Sequence, residues 1–364
     1  MKITIFGLTV SSSWGNGHAT LWRGLIRAFA RRGWNVVFFE RDVPYYAGTR
    51  DLGHMEDADL VLYADWSAIR QRAAREVADA DVAIVTSYCP DALPATQLVL
   101  EAPSALRVFY DLDTPVTLSN LKNGQRPEYI GPDGLRGFDL ALSYTGGAAL
   151  DELSSLLGAP KALPFYGHVD PDKHHPEMQD PCFAGDLSYL GTYAEDRQEA
   201  IERFLVEPAW RRPECRFVIG GAQYPQDFPW APNIYFVRHL PPPDHPRFFT
   251  SSRLTLNVTR RAMAEMGWCP SGRLFEAAAC GAAIVTDVWP GLDSFFAPGW
   301  EVLPVDTTED VIAALNLTDQ ELKRLRENAR ERVLAEHTSD RRATEFEAIV
   351  SDARRCPASI SEVA

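Results

Sequence analysis

SGRLFEAAACGAAIVTDVWPGLDSFF, residues 271–296, reads as a helix, a turn, a short strand and a second turn. Ser271 and Gly272 open the helix and aim free backbone N–H groups and a positive dipole end at an anion. Arg273 and Glu276 are three apart and share one helical face. A guanidinium that grips phosphate thus stands beside a carboxylate that accepts sugar hydroxyl protons, a pairing suited to a nucleoside diphosphate. Gly281 closes the helix, and AAIVTD follows as a buried strand. The turn containing Gly291 then folds back over the carboxyl end of that strand, the edge where open α/β sheets bind ligands.

Outward from this stretch the same alternation recurs. KITIFG, NVVFFE, DVAIVTS, ALRVFYDLD, FDLALSYT and KALPFYG are strand candidates in the first half, with helices expected at 18–32, near 67–78 and over GGAALDELSSLLG. DLSYLGTY, CRFVIGG, NIYFVRHL, RLTLNV, AAIVTD and EVLPV repeat the pattern in the second, with helices near 196–206, 244–251, 272–280 and 308–315. The expected fold is α/β, with two doubly wound parallel sheets facing a cleft. The first domain is assigned to 1–167 and the second to 187–340. HVDPDKHHPEMQDPCFAGD, 168–186, is proline-rich and without apolar period, and is read as a solvated linker. The last segment, 341–364, is expected to be a helix returning to the first domain.

A chain of 364 residues exceeds what one core usually holds, which supports the two-domain division. Fifty acidic against 36 basic side chains give a net charge of -14, which disfavours nonspecific nucleic-acid binding. An anionic substrate then requires a local basic pocket. The six cysteines lie far apart with neither CxxC nor zinc-ligand spacing, and are read as reduced thiols. No leader pattern or 18-residue apolar run occurs, so a cytoplasmic location is expected.

SSSWGNGHATLW, 11–22, joins the first strand to the first helix. Gly15 and Gly17 permit a tight turn, Asn16 lies between them, and His18 is carried to the helix N-terminus, facing the cleft as a candidate base. Thr20 stands where a GxGxxG turn has its third glycine, although Glu40 follows the second strand as a ribose-binding acid would. Asp111 and Asp113 end the fourth strand candidate, ALRVFYDLD; a metal-binding Asp-x-Asp is one reading, and a metal-free role with Asp113 lining the cleft is preferred. Arg260, just after TLNVT, is expected to help neutralise phosphate. HLPPPDHP, 239–246, reads as a rigid loop at the cleft rim that brings His239 and His245 to the start of a helix in the second domain.

SSSWGNGHAT, YDLDTPVTL, TLNVTR and PSGRLFEAAACG together resemble the GT-B glycosyltransferases, two Rossmann-like domains, and within them the CgeB-like branch. The likeness runs nearly end to end. It implies sugar transfer from a nucleoside diphosphate sugar, UDP-linked in expectation, with the nucleotide in the second domain and the acceptor against the first. Glu276 matches the position of the acid that holds the donor ribose, and Arg273 lies where phosphate is reached. The retaining Glu-x7-Glu pattern is absent, because Trp268 stands eight residues before Glu276 and Glu265 is out of register.

The expected enzyme is a metal-independent, cofactor-free hexosyltransferase with His18 or Asp113 as proton acceptor. Ser271, Gly272, Arg273, Glu276, Arg260 and Gly291 are expected at the donor; Gly15, Asn16, Gly17 and His239 line the cleft. Its alternatives are a nucleotide-sugar epimerase, an NAD-dependent oxidoreductase using the GNGHAT turn, and a noncatalytic sugar-nucleotide sensor.

Overall fold

Strands buried on both faces need helices on both faces, and the strands of this chain satisfy that condition twice. In the computed structural model, which describes residues 1–355, the chain divides into two units. Unit 1 is Met1–Tyr166 with the described residues from Ser339 on; unit 2 is Gly167–Thr338.

Unit 1 is built on β1 (Lys2–Gly7), β2 (Asn35–Arg41), β3 (Asp59–Tyr63), β4 (Val82–Thr86), β5 (Leu106–Asp111), β6 (Leu140–Ser143) and β7 (Ala162–Pro164). All pair in parallel in the order β3-β2-β1-β4-β5-β6-β7, so the direction of winding switches between β1 and β4. Ile3, Ile5 and Phe6 of β1 and Val82–Val85 of β4 are buried, as the centre of such a sheet requires. β3 was not foreseen: Asp59, Leu60 and Leu62 keep contact with solvent at the sheet edge, and the strand lacks a continuous apolar run. The helices Ala92–Leu100 and Thr114–Lys122 also lie outside the expected set; each carries a proline, Pro94 or Pro115, in its first turn, where the missing N–H costs no intrahelical hydrogen bond.

The helix Ser339–Arg355 completes the core of unit 1. Phe346 is buried with its ring 5.1 Å from Phe29 and 5.8 Å from Phe165. Arg31 pairs with Asp340 at 2.9 Å and Arg354 with Asp81 at 3.1 Å, holding the helix to the outside of the sheet. The expected helical segment extended to residue 364, and its part from 356 on, with Cys356, lies outside the described residues.

Unit 2 contains β8 (Gly185–Leu190), β9 (Phe217–Gly221), β10 (Ile234–Arg238), β11 (Ser252–Asn257), β12 (Ile284–Asp287) and β13 (Leu303–Val305), parallel in the order β10-β9-β8-β11-β12-β13. Its switch point lies between β8 and β11. Leu187, Phe217, Ile219, Leu254, Leu256 and Val285 form the heart of its core.

Residues 168–186 belong to unit 2, and the solvated-linker reading is corrected there. His168, Asp170 and His174 are buried. The backbone N–H groups of Lys173 and His174 both donate to the Asp170 carbonyl, forming a turn that carries His174 inward. Farther on, the N–H of Glu177 donates to Thr250 Oγ1 and that of Asp180 to Ser251 Oγ, lacing the segment to the helix His245–Ser251. The prolines restrict this strand of chain without freeing it.

Candidate active site

In unit 1 the polar groups gather at the carboxyl ends of β1, β4 and β5, around the switch point. Asn16 caps the helix Gly17–Arg31, its side chain accepting from the His18 N–H at 3.1 Å. Gly15, at φ +59, turns the chain into that cap, while Gly15 and Gly17 remain exposed and Asn16 is buried. His18 consequently points its Nε2 to within 3.8 Å of Asp113 Oδ2, both side chains about one-sixth exposed, at 17% and 18%. Burial holds the His18 imidazole below its ordinary pKa, with Asp113 opposing. It is therefore neutral at pH 7 and able to take a proton. His18 Nδ1 has no hydrogen-bond partner.

Tyr88, in a left-handed conformation at φ +61 after β4, places its ring 6.1 Å from that of His18. Its phenol is kept protonated by burial and by the nearby Asp113 carboxylate. Asp111 lies behind Asp113, fully buried, and its Oδ1 accepts the Asp113 N–H at 3.1 Å. Burial pushes its carboxyl up to about 6. The two aspartates thus differ in kind: one is buried and inclined to hold its proton, the other faces His18. They do not join a third ligating side chain among the described residues.

Glu40, which follows β2 as a ribose-binding acid would, is fully buried and already engaged. Its carboxylate accepts from the Thr9 and Ser11 hydroxyls and from the Val10 and Ser11 backbone N–H groups, at 2.7 Å and 3.0 Å for the last two. It pins the loop after β1 and leaves no oxygen free for a dinucleotide ribose.

In unit 2, Ser271 caps the helix Gly272–Ala279 and accepts the Arg273 N–H at 3.3 Å. Gly281, at φ +71, follows its end, and β12 comes next. Arg273 Nη1 donates to Glu276 Oε2 and, at 3.3 Å, to His245 Nδ1. Glu276 is buried, and burial by itself would raise its pKa; Arg273, with the imidazoles of His174 and His245, overrides that and holds the carboxyl at about 2. It is an ionised acceptor throughout the neutral range. Ser271 and Arg273 line a small pocket with Tyr189 and Leu190 from the end of β8, Asn257 and Val258 from the end of β11, and Arg197. This is the switch point of the second sheet, where a helix N-terminus and two arginines converge.

Other expected donor residues are placed differently. Arg260 pairs with Asp196 at 2.9 Å and lines a separate open groove with Glu195 and Arg261. Its charge is already answered. Gly291, at φ +88, lies against the Trp268 indole, where a Cβ would come within 2.6 Å of three ring atoms. Its backbone is set by packing. Trp268, standing where the retaining pattern has its first Glu, donates its N–H to the Pro290 carbonyl at 2.7 Å, and Glu265 is exposed on the helix Arg261–Met266. His239 is exposed after β10, at φ +50.

Two residues of the site, His174 and Arg197, lie outside the expected set. His174 sits in the segment read as solvated, although HVDPDKHH offers ligand-type side chains, and Arg197 carries no motif. His245 is at the helix start expected of it, and only tertiary packing brings it to Arg273.

Residues 197–348 match the family model described as glycosyl transferase-like. Among solved structures, the chain is similar to a sucrose-phosphate synthase from Thermosynechococcus elongatus (15% identity, 98% of this chain and 99% of that chain covered, TM-score 0.67). It is similar to Anabaena Alr3699/HepE in complex with UDP-glucose (11%, 97% and 100% covered, TM-score 0.68). An alpha-glucosyltransferase in complex with UDP and a 13-mer DNA is a further relative in fold (16%, 96% and 99% covered, TM-score 0.72). No curated protein matches the chain in sequence. The two comparisons agree in direction: residues 197–348 are similar to a glycosyl transferase-like family, and the chain as a whole has the GT-B fold.

Proposed function

We propose that the protein transfers a hexosyl group from a nucleoside diphosphate sugar, UDP-linked, to an acceptor hydroxyl, without a metal ion or other cofactor. Unit 2 holds the donor and unit 1 activates the acceptor. The observation that carries this reading is the pair Arg273–Glu276 on a capped helix at the switch point of the second sheet. Glu276, ionised and buried, accepts the ribose hydroxyls; Arg273, with a side chain 35% exposed, is free enough to turn to the diphosphate. Solved structures of the same fold with UDP or UDP-glucose bound support the choice of donor.

In the reaction the acceptor oxygen attacks the anomeric carbon, and the bond from that carbon to the diphosphate oxygen breaks with its electron pair leaving on the diphosphate. Arg273, Arg197 and the helix N-terminus at Ser271–Gly272 meet the charge that develops there. The acceptor proton passes to His18, whose charged form Asp113 stabilises, or to Asp113 itself. The motifs SSSWGNGHAT and PSGRLFEAAACG support membership of the CgeB-like branch.

A thermal-shift panel of nucleoside diphosphates and their sugar conjugates tests the reading. A ligand at 100 times its Kd stabilises by roughly 2.7 kcal/mol, so UDP and UDP-sugars raise the melting temperature and NAD does not. Stabilisation by NADH alone would return the protein to dehydrogenase chemistry. Product analysis with donor alone separates transfer from epimerisation.

A further inference from the structure

His174, His245 and Glu276 are buried together, each offering a ligating atom, with those atoms all within 4.8 Å of one another. They come from three separate places in unit 2: the 170–174 turn, the helix His245–Ser251 and the helix Gly272–Ala279. Hydrogen bonding settles the His245 tautomer. The Leu240 carbonyl, 3.3 Å from Nε2, can only accept, and the Arg273 guanidinium, 3.3 Å from Nδ1, can only donate. His245 is therefore neutral, with its Nε2 proton on a backbone carbonyl and its Nδ1 lone pair turned to the cluster. This is the arrangement that orients a metal-bound imidazole.

His174 is the anomaly. Both ring nitrogens are buried and neither has a hydrogen-bond partner, while Nε2 stands 3.9 Å from Glu276 Oε1. An orphaned imidazole beside an ionised carboxylate is costly unless something lies between them. The present cation, Arg273, answers Glu276 and His245 by hydrogen bonds but makes none to His174, and with a side chain 35% exposed it is the most open member of the group.

We propose that His174, His245 and Glu276 form a site for a divalent ion of the zinc class, occupied by the Arg273 guanidinium when no metal is bound. Two neutral imidazoles and one carboxylate are the donor set zinc takes, with a fourth position open to water. Metal binding turns Arg273 outward. Because the ion takes Glu276, it competes with the nucleotide sugar; this consequence rests on the donor reading above, whereas the site itself does not.

The test is a calorimetric titration of the chelator-treated full chain with Zn²⁺ alone, and with Co²⁺ to record the visible spectrum of a tetrahedral N₂O site. A Cys182→Ser, Cys356→Ser background removes as competing ligands the thiol that is exposed among the described residues and the one outside them. One equivalent of Zn²⁺ binds, and His174→Ala and Glu276→Gln each abolish it. Arg273→Ala removes the competing cation and tightens zinc binding about tenfold or more. This sign distinguishes a cation site from a structural cluster. No binding by the wild type and by Arg273→Ala, or zinc affinity unmoved by His174→Ala, overturns the proposal. Zinc bound by the wild type without loss of UDP binding would leave the metal site standing and count against the donor reading.

Discussion

His18 Nε2 and Asp113 Oδ2 lie 3.8 Å apart, the imidazole carried by the first helix turn after β1 and the carboxylate by the turn after β5. No hydrogen bond joins them at that distance, so each is available to an acceptor hydroxyl. His18→Ala is expected to lower kcat roughly 10²–10⁴-fold while leaving UDP affinity near that of the wild type. Asp113→Asn is expected to do less. If Asp113→Asn proves the more damaging change in steady-state kinetics, the proton acceptor is the carboxylate.

The pH profile follows from the same pair. Burial depresses the His18 pKa below its ordinary 6.5, so the neutral base persists to lower pH than in an exposed histidine. The acid limb of kcat/KM should therefore fall below pH 6.5, and an acid limb above pH 7 would remove His18 from the role.

Donor binding turns on Glu276 and Arg273. Glu276→Gln keeps the shape and removes the charge, and is expected to cost about 1.5–3 kcal/mol of UDP-sugar affinity, roughly ten- to hundredfold in Kd. Arg273→Lys should weaken UDP more than uridine, since only the former carries the diphosphate. Incubation with EDTA should leave transfer intact; activity lost to chelation and restored by Mn²⁺ would move the chemistry to Asp111 and Asp113.

Asp111 supplies a stability prediction with a definite sign. Its folded-state pKa is raised to about 6 from 3.8 by burial, so the folded protein keeps a proton that the unfolded chain has released. Stability is unaffected below pH 3.8, is lost as pH rises to 6, and stays lost above it. Asp111→Asn never ionises and should be more stable than the wild type at pH 8 by about 2–3 kcal/mol, an advantage that disappears in denaturant titrations near pH 4.

Gly291→Ala should destabilise unit 2 by about 1–3 kcal/mol, because a Cβ at φ +88 meets the Trp268 ring. Trp268→Ala in the same chain should recover the steric part of the loss, which a double-mutant cycle measures.

What the sequence carried well was local. Ser271 and Gly281 bracket a helix through their own backbone chemistry, and the apolar runs of β1, β4 and β12 have no other use than a doubly covered sheet. What it hid depended on long-range partners. The inward turn of His174 is set by two N–H bonds to the Asp170 carbonyl, and its proline-rich surroundings read as solvated chain. Glu40 sits where a ribose acid would, and only the folded loop shows its oxygens engaged by Thr9, Val10 and Ser11. Arg260 carried the right charge at the right edge, but Asp196, 64 residues earlier, had already claimed it.

Unit 1 has a further property of a different order, one of timing. Phe29 and Phe165 acquire their partner Phe346 only from the helix Ser339–Arg355, whereas unit 2 is a single uninterrupted run of chain. During synthesis the second unit can be complete while the first still presents bare aromatic surface, so the earliest residues made are among the last to be sealed. A ribosome stalled with residue 338 as the last to emerge would carry a nascent chain prone to chaperone capture, and seventeen more residues would release it.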